Sequence, residues 1–553
     1  MFVFYQRETT FCIGNAIYCI ISVGVFYIYL NAFWYSSYQI FGGGSVMNRE
    51  SGILMPVFSL ASRFGIGCFS REAFDFIDFL EKAGQGYWQV LPLGPTGFGN
   101  SPYQPFSAFA GNPYFISPEK LIEEGLLSWD DVNKLDFGSN QEAVDYGKLY
   151  ENRFDILEKA YDNFVEKADK EAKKEFEEYI KKNEYWLLDY AMYVVIKDKQ
   201  EGKSWIEWED ELRKRKKAAL DEVKEKYDKE LEVIFFEQFK FDEQWGKILE
   251  YAHKHKVKII GDLPFYVAMD SADAWAHPEV FEMDKDLMPK TVAGCPPDAF
   301  SPTGQLWGNP VYDWDALKKD GYDWWVKRIR RNYEWFDVIR IDHFHGFNEY
   351  YAVPFEDKTA ENGKMKKGPG MDLFNALKKN IGELNMIAED LGNNTEENVK
   401  LLKDSGFPGM NVLQFGFTSW DSCYVNHRHE RNSVVYTGTH DNTPTFAWVQ
   451  EINDGERDFT RRYINSMNTN YGAFVWDIIR EAYRSVANLC IIPIQDYLCK
   501  GKEARINTPG TADGNWMWRL PPNYLSDDLA RSIRLLTETY SRLAIALPEE
   551  KNE

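Results

Sequence analysis

The sequence is short of positive charge, of paired cysteines and of the glycine-rich loops that hold phosphates. Its 553 residues carry 64 Lys and Arg against 86 Asp and Glu, a net charge of −22. Nucleic acid needs its phosphates neutralised by basic side chains, and an anionic lipid surface attracts basic segments in the same way. Neither is an expected partner, whereas a neutral substrate is not repelled. Seven cysteines (Cys12, Cys19, Cys68, Cys295, Cys423, Cys490 and Cys499) are scattered with no C-x-x-C pair. That argues against a thiolate zinc site and fits reduced thiols in the cytoplasm. There is no G-x-x-x-x-G-K-[ST] loop and no H-E-x-x-H, and Gly65-Ile66-Gly67 lacks the third glycine of a dinucleotide fingerprint. The H-x-H pairs His253/His255, His343/His345 and His427/His429 come without a matching carboxylate–histidine set. No metal and no cofactor is therefore expected.

What is present is globular. Apolar residues at 44% and charged residues at 27% exclude a disordered or fibrous chain. The length exceeds one ordinary domain of about 100–200 residues, but a single large α/β barrel with insertions accommodates it. Residues 1–46 stand apart: no charge falls between Glu8 and Arg49. The stretch Phe11–Tyr35 reaches the roughly 20 apolar residues that span a bilayer. A membrane anchor with Trp34, Tyr35 and Tyr38 at the interface is one reading. A secretory signal is another, weakened because Arg7 is balanced by Glu8. The third is an upstream stretch read in frame, since Gly42-Gly43-Gly44 implies purine-rich bases shortly before Met47. The catalytic unit is accordingly expected over 47–553.

Eight short apolar runs recur after Ser51: Ile53–Phe58, Tyr87–Leu91, Val257–Ile260, Val338–Ile341, Met386–Ala388, Met410–Phe415, Val434–Tyr436 and Cys490–Ile494. Their hydrophobicity is continuous, as in parallel strands buried on both faces. Helical patterns such as Glu72–Lys82 and Gln244–Lys254 stand between several of them. The expected fold is an α/β (β/α)8 TIM barrel, with an open doubly wound sheet as the alternative. Residues 95–245 are far longer than a crossover needs and become Lys/Glu-rich with helical spacing, so a mainly helical insertion on the C-terminal face is expected.

Four strand ends carry acids: Asp262, Asp342-His343, Glu389-Asp390 and His440-Asp441. Singly, each carboxylate reads as a helix cap or a surface group. Four on the catalytic rim of a barrel are harder to explain that way, because clustered carboxylates repel and lose hydration. Two carboxylates flanking one bond suit glycoside chemistry through an oxocarbenium-like transition state. On this reading Arg340 holds Asp342 ionised as a nucleophile. Glu389 has a raised pKa and works as acid and then base. Asp441 and His440 grip the sugar. Tyr103, Trp307, Phe344 and Phe347 are candidates for stacking on sugar faces.

These residues resemble glycoside hydrolase family 77, the 4-α-glucanotransferases, from about Gly52 to Leu520. The resemblance rests on Ser62-Arg63-Phe64-Gly65-Ile66-Gly67, Gln89-Val90-Leu91-Pro92-Leu93-Gly94-Pro95-Thr96, Asn100-Ser101-Pro102-Tyr103-Gln104 and Ile260-Gly261-Asp262-Leu263-Pro264. It extends through Gly294-Cys295-Pro296-Pro297-Asp298, Gly304-Gln305-Leu306-Trp307-Gly308-Asn309-Pro310, Gly438-Thr439-His440-Asp441-Asn442-Thr443 and Asn507-Thr508-Pro509-Gly510. It implies Asp342 as nucleophile, Glu389 as general acid/base and Asp441 as the group that distorts the −1 sugar. It also implies sugar contacts for Arg340, His440, Tyr103, Ser101, Asp298, Gln305, Trp307 and Asn507, a lid loop over 291–309 and no C-terminal β-domain. His345 stands where many members carry arginine. The implied activity is retaining transfer of α-1,4-glucan segments between maltodextrins. An α-amylase-like hydrolase and a membrane-tethered glucan-binding protein with an inactive barrel are the alternatives.

Overall fold

The computed structural model describes residues 48–97, 99–297, 301–392 and 394–544. The readings made for the leader 1–46 and for Asp298 lie outside these residues. The described chain belongs to one compact unit, 47–553. Twelve strands occur among the described residues: β1 (Glu50–Leu54), β2 (Tyr87–Gln89), β3 (Lys258–Leu263), β4 (Thr291–Cys295), β5 (Gln305–Pro310), β6 (Val338–Ile341), β7 (Glu349–Pro354), β8 (Lys364–Lys367), β9 (Met386–Ala388), β10 (Gly409–Val412), β11 (Ser433–Tyr436) and β12 (Leu489–Pro493).

Eight of them form a sheet in the order β10-β11-β12-β1-β2-β3-β6-β9, with every pairing parallel. The two ends meet where the Ala388 N–H donates to the Pro408 carbonyl at 2.9 Å. This is the expected (β/α)8 barrel, and its strands coincide with the eight apolar runs. Helices return the chain between strands. Arg71–Lys82, for example, buries Ala73, Phe76, Ile77 and Leu80 at helical spacing against the sheet.

The strand residues divide by face. Alternate positions such as Ile53, Trp88, Ile259 and Ile339 join the helix-facing core. The others, Leu54, Tyr87, Ile260, Val338, Ile387, Met410, Val434, Leu489 and Ile491, form a separate cluster inside the barrel. The period of two along a strand makes this division. Gly261 is required where β3 meets the outer core, because a Cβ there would stand 2.1 Å from the Phe336 ring.

The β2–β3 connection carries long helices at Tyr146–Lys167 and Lys170–Lys199, capped by Asp145 and Asp169, and continues through Asp228–Lys254 directly into β3. The buried Arg331 guanidinium of helix Asp323–Tyr333 binds Asp242 at 2.7 Å and ties these helices to the barrel. A second sheet, β5-β4-β7-β8, is antiparallel. The segment expected as a lid loop is thus a hairpin of β4 and β5, and β7 and β8 extend it. Among the described residues no strand follows β12.

Candidate active site

Asp262, Arg340, Asp342 and Glu389 stand on the barrel-interior face, in step with Ile260, Val338 and Ile387 below them. In the β3–β6–β9 ladder Asp262 is level with Arg340, and Arg340 with Ile387. Carried one pair beyond the strands, the register sets Asp342 beside Glu389. The ladder hydrogen bonds do extend that far: Asp342 N donates to Leu263 O, Glu389 N to Ile341 O and Phe344 N to Glu389 O, each at 3.0 Å.

Arg340 is the cation of this rim. Its Nη1 donates to both Asp262 oxygens, at 2.7 and 2.8 Å, and to Asp342 Oδ1 at 3.2 Å. The expectation that Arg340 serves Asp342 is therefore half of the arrangement; its tighter partner is the fully buried Asp262. Tyr103 donates its hydroxyl to Asp262 Oδ2 at 2.8 Å, and burial holds that phenol protonated.

Glu389 is held by backbone donors. Its Oε2 accepts from His343 N at 2.8 Å and its Oε1 from Leu391 N at 3.1 Å. Burial raises its pKa to about 7; Arg340 and these donors oppose the rise, and the Asp342 charge adds to it. His343 adopts a left-handed backbone, φ 50°, unusual for a residue other than glycine. That turn aims its N–H at Glu389. Burial lowers the pKa of His343 and takes His345 down to about 4, with His343 adding to the effect on His345. Both imidazoles are neutral at pH 7.

Asp441 faces the same space from the loop after β11. It sits 3.4 Å from His440 Nε2, and its Oδ1 accepts from Asn507 Nδ2 at 2.6 Å. The His440 ring stacks on Tyr103 at 5.1 Å and 17°, and both rings contact Trp516. Ser101 accepts from Tyr103 N at 3.3 Å and shapes that loop. Trp307, on the hairpin, meets His343 edge-on at 5.3 Å and donates to Gln305 Oε1 at 3.2 Å. Asp342, Glu389, Asp441, Arg340, His440, Tyr103, Ser101, Gln305, Trp307 and Asn507 thus join one connected network around a partly open floor of Asp342 and Asp441, whose side chains are 32% and 43% exposed.

Two stacking candidates fail. Phe344 and Phe347 are buried and pack with Phe374, so no sugar reaches them. His253 and His255 pair with Asp337 and Glu81 rather than with each other. The sequence reading also passed over two groups. Arg505 donates to the Asp441 carbonyl at 2.9 Å and to Thr443 Oγ1 at 2.7 Å. Buried Asp496, just after β12, accepts from Thr437 Oγ1 at 2.5 Å and from Thr445 N and Oγ1 at 2.7 Å each. It clamps both ends of the loop that carries His440 and Asp441. Its signal was available: it is one more acid at a strand end.

The family model described as 4-alpha-glucanotransferase matches residues 55–526. A 4-alpha-glucanotransferase of Clostridium butyricum is 45% identical over 490 residues, 88% of this chain and 100% of the relative. One from Thermus thermophilus is 42% identical, covering 90% and 99%. Among solved structures, the amylomaltase of Streptococcus agalactiae in complex with acarbose aligns with a TM-score of 0.86 at 37% identity, over 89% of this chain and 99% of that one.

Proposed function

The chain belongs to the 4-alpha-glucanotransferase family, and on that premise we propose that it transfers α-1,4-glucan segments between maltodextrins with retention of configuration. The observation that carries this reading is the pairing of Asp342 with Glu389 at adjacent strand ends, one beside Arg340 and the other with its pKa raised to about 7.

Glu389, protonated, gives its proton to the leaving glycosidic oxygen while the Asp342 carboxylate attacks the anomeric carbon. The leaving chain departs with a free 4-hydroxyl. Glu389, now a base, takes the proton from the 4-hydroxyl of a second glucan, whose oxygen displaces Asp342. Two inversions give net retention. Arg340 donates to the Asp342 carboxylate at 3.2 Å and orients it, and Asp441 with Asn507, His440 and Tyr103 holds the −1 ring. The acarbose bound by the Streptococcus relative supports an α-1,4-glucan as substrate. Transfer outruns hydrolysis when water is excluded, and the β4–β5 hairpin bearing Trp307 beside His343 is suited to that.

Asp298, Gln305 and Trp307 are assigned to the chain-binding wall, and Ser101 to the support of Tyr103. Cytoplasmic placement is supported by the scatter of the seven cysteines with no C-x-x-C pair, and no described helix is long and apolar enough to cross a membrane. A membrane enters only if residues 1–46 belong to the working protein. The test is incubation with maltotriose: a ladder of longer and shorter products supports transfer, and reducing ends rising without longer products support the hydrolase.

A further inference from the structure

One crossover differs from the rest. Between β10 and β11 the barrel has only the short helical turns Leu413–Gly416 and Asn426–Arg428, and residues 417–425 form a loop. Trp420 in this loop is 75% exposed, against 39% for Trp129, the next most exposed tryptophan among the described residues. The loop is braced. Thr418 Oγ1 and Ser422 Oγ both donate to the Phe415 carbonyl at 3.0 Å, and Arg428 Nη1 donates to the Asp421 carbonyl at 2.7 Å. Phe415, itself partly exposed, packs edge-on against Tyr424 at 5.7 Å.

The loop is also fastened to the catalytic rim: the Tyr424 hydroxyl accepts from Gly392 N at 3.3 Å, three residues past Glu389. The side of the bond follows from the chemistry. A group that protonates the leaving oxygen lies on the leaving-group side, which is also the side the acceptor enters. Aromatic faces next to hydroxyl and carboxylate groups, here Ser419, Asp421 and Ser422, suit a sugar ring with an apolar face and a polar edge.

We infer that Trp420, with Phe415, forms an outer acceptor platform that takes the distal glucose units of an α-1,4-glucan and makes long acceptors better than short ones. This rests on the transferase reading. A glucose acceptor fills only the position next to the scissile bond, whereas maltopentaose reaches the platform.

The experiment compares glucose and maltopentaose as acceptors at fixed donor. In Trp420→Ala the ratio of the maltopentaose KM to the glucose KM rises about tenfold, the effect of losing one ring stack, and Trp420→Phe restores most of it. Equal changes in both KM values, or none in either, overturn the platform. A wild-type chain that transfers to neither acceptor overturns the transferase reading instead. Calorimetric binding of maltopentaose to Asp342→Asn, with and without Trp420→Ala, then tests the platform without turnover, and equal Kd values overturn it.

Discussion

The lower and upper halves of the barrel interior are built by the same strands, two residues apart, and they do opposite things. Below, Ile260 and Val338, level with each other, close the lumen with apolar packing. Above, on the same faces, Asp262, Arg340, Asp342 and Glu389 form a charged rim. The lower layer gains its stability from excluding water. The upper layer gives some up, since buried carboxylates lose hydration and repel one another. Arg340 offsets that cost for Asp262 and Asp342. Among the described residues Glu389 makes no ion pair, and burial raises its pKa, the property its proposed acid/base role requires.

The largest expected effect comes from breaking the rim. Asp342→Asn and Glu389→Gln each lower kcat for maltotriose transfer by roughly three orders of magnitude or more, with Tm nearly kept. In the layer below, Ile260→Ala reverses the pattern: it loses about 2–5 kcal/mol of stability in urea unfolding and keeps most of kcat. Similar losses from Asp342→Asn and Ile260→Ala in both assays would erase the distinction between the layers.

Removing the cation is next. Arg340→Met strands Asp262 as an unpaired buried charge and costs about 3–5 kcal/mol. Pairing it with Asp262→Asn recovers part of that loss, and an additive double mutant would deny the coupling.

Titration gives a smaller effect with a defined sign. In the proposed mechanism Glu389 is protonated for the first step, so kcat/KM falls above about pH 7. Its folded pKa lies above the ordinary carboxylate value. The stability it contributes is therefore full below about pH 4.5 and lost as pH rises through about 7. Glu389→Gln is thus more stable than wild type at pH 9 and loses that advantage at pH 4.

The smallest expected effect is at Asp496. Asp496→Asn weakens the clamp on the His440–Asp441 loop by about 1–3 kcal/mol and raises the maltotriose KM more than it lowers Tm. A variant with lowered Tm and unchanged KM would make Asp496 a folding residue only.

The eight barrel strands were legible because parallel strands buried on both faces read as unbroken apolar runs. The antiparallel sheet was not. Lys364–Lys367 and the first half of Gln305–Pro310 are mostly exposed, so neither a run nor an alternation marks them. Asp342, Glu389 and Asp441 were legible as acids at strand ends. Which of them Arg340 serves was not, because that depends on the register that sets Asp262 level with it. Phe344 and Phe347 misled for a related reason. Their position after β6 suggested the cleft, but the short helix Phe344–Phe347 turns both rings under the rim.

The most direct test of the central claim is one time course of the purified full chain with maltotriose, following glucose, longer oligomers and total reducing ends. Transfer through Asp342 gives glucose and maltopentaose together while reducing ends stay constant, and both products vanish in Asp342→Asn. Reducing ends that climb with no product longer than maltotriose, or a ladder that persists in Asp342→Asn, would contradict it.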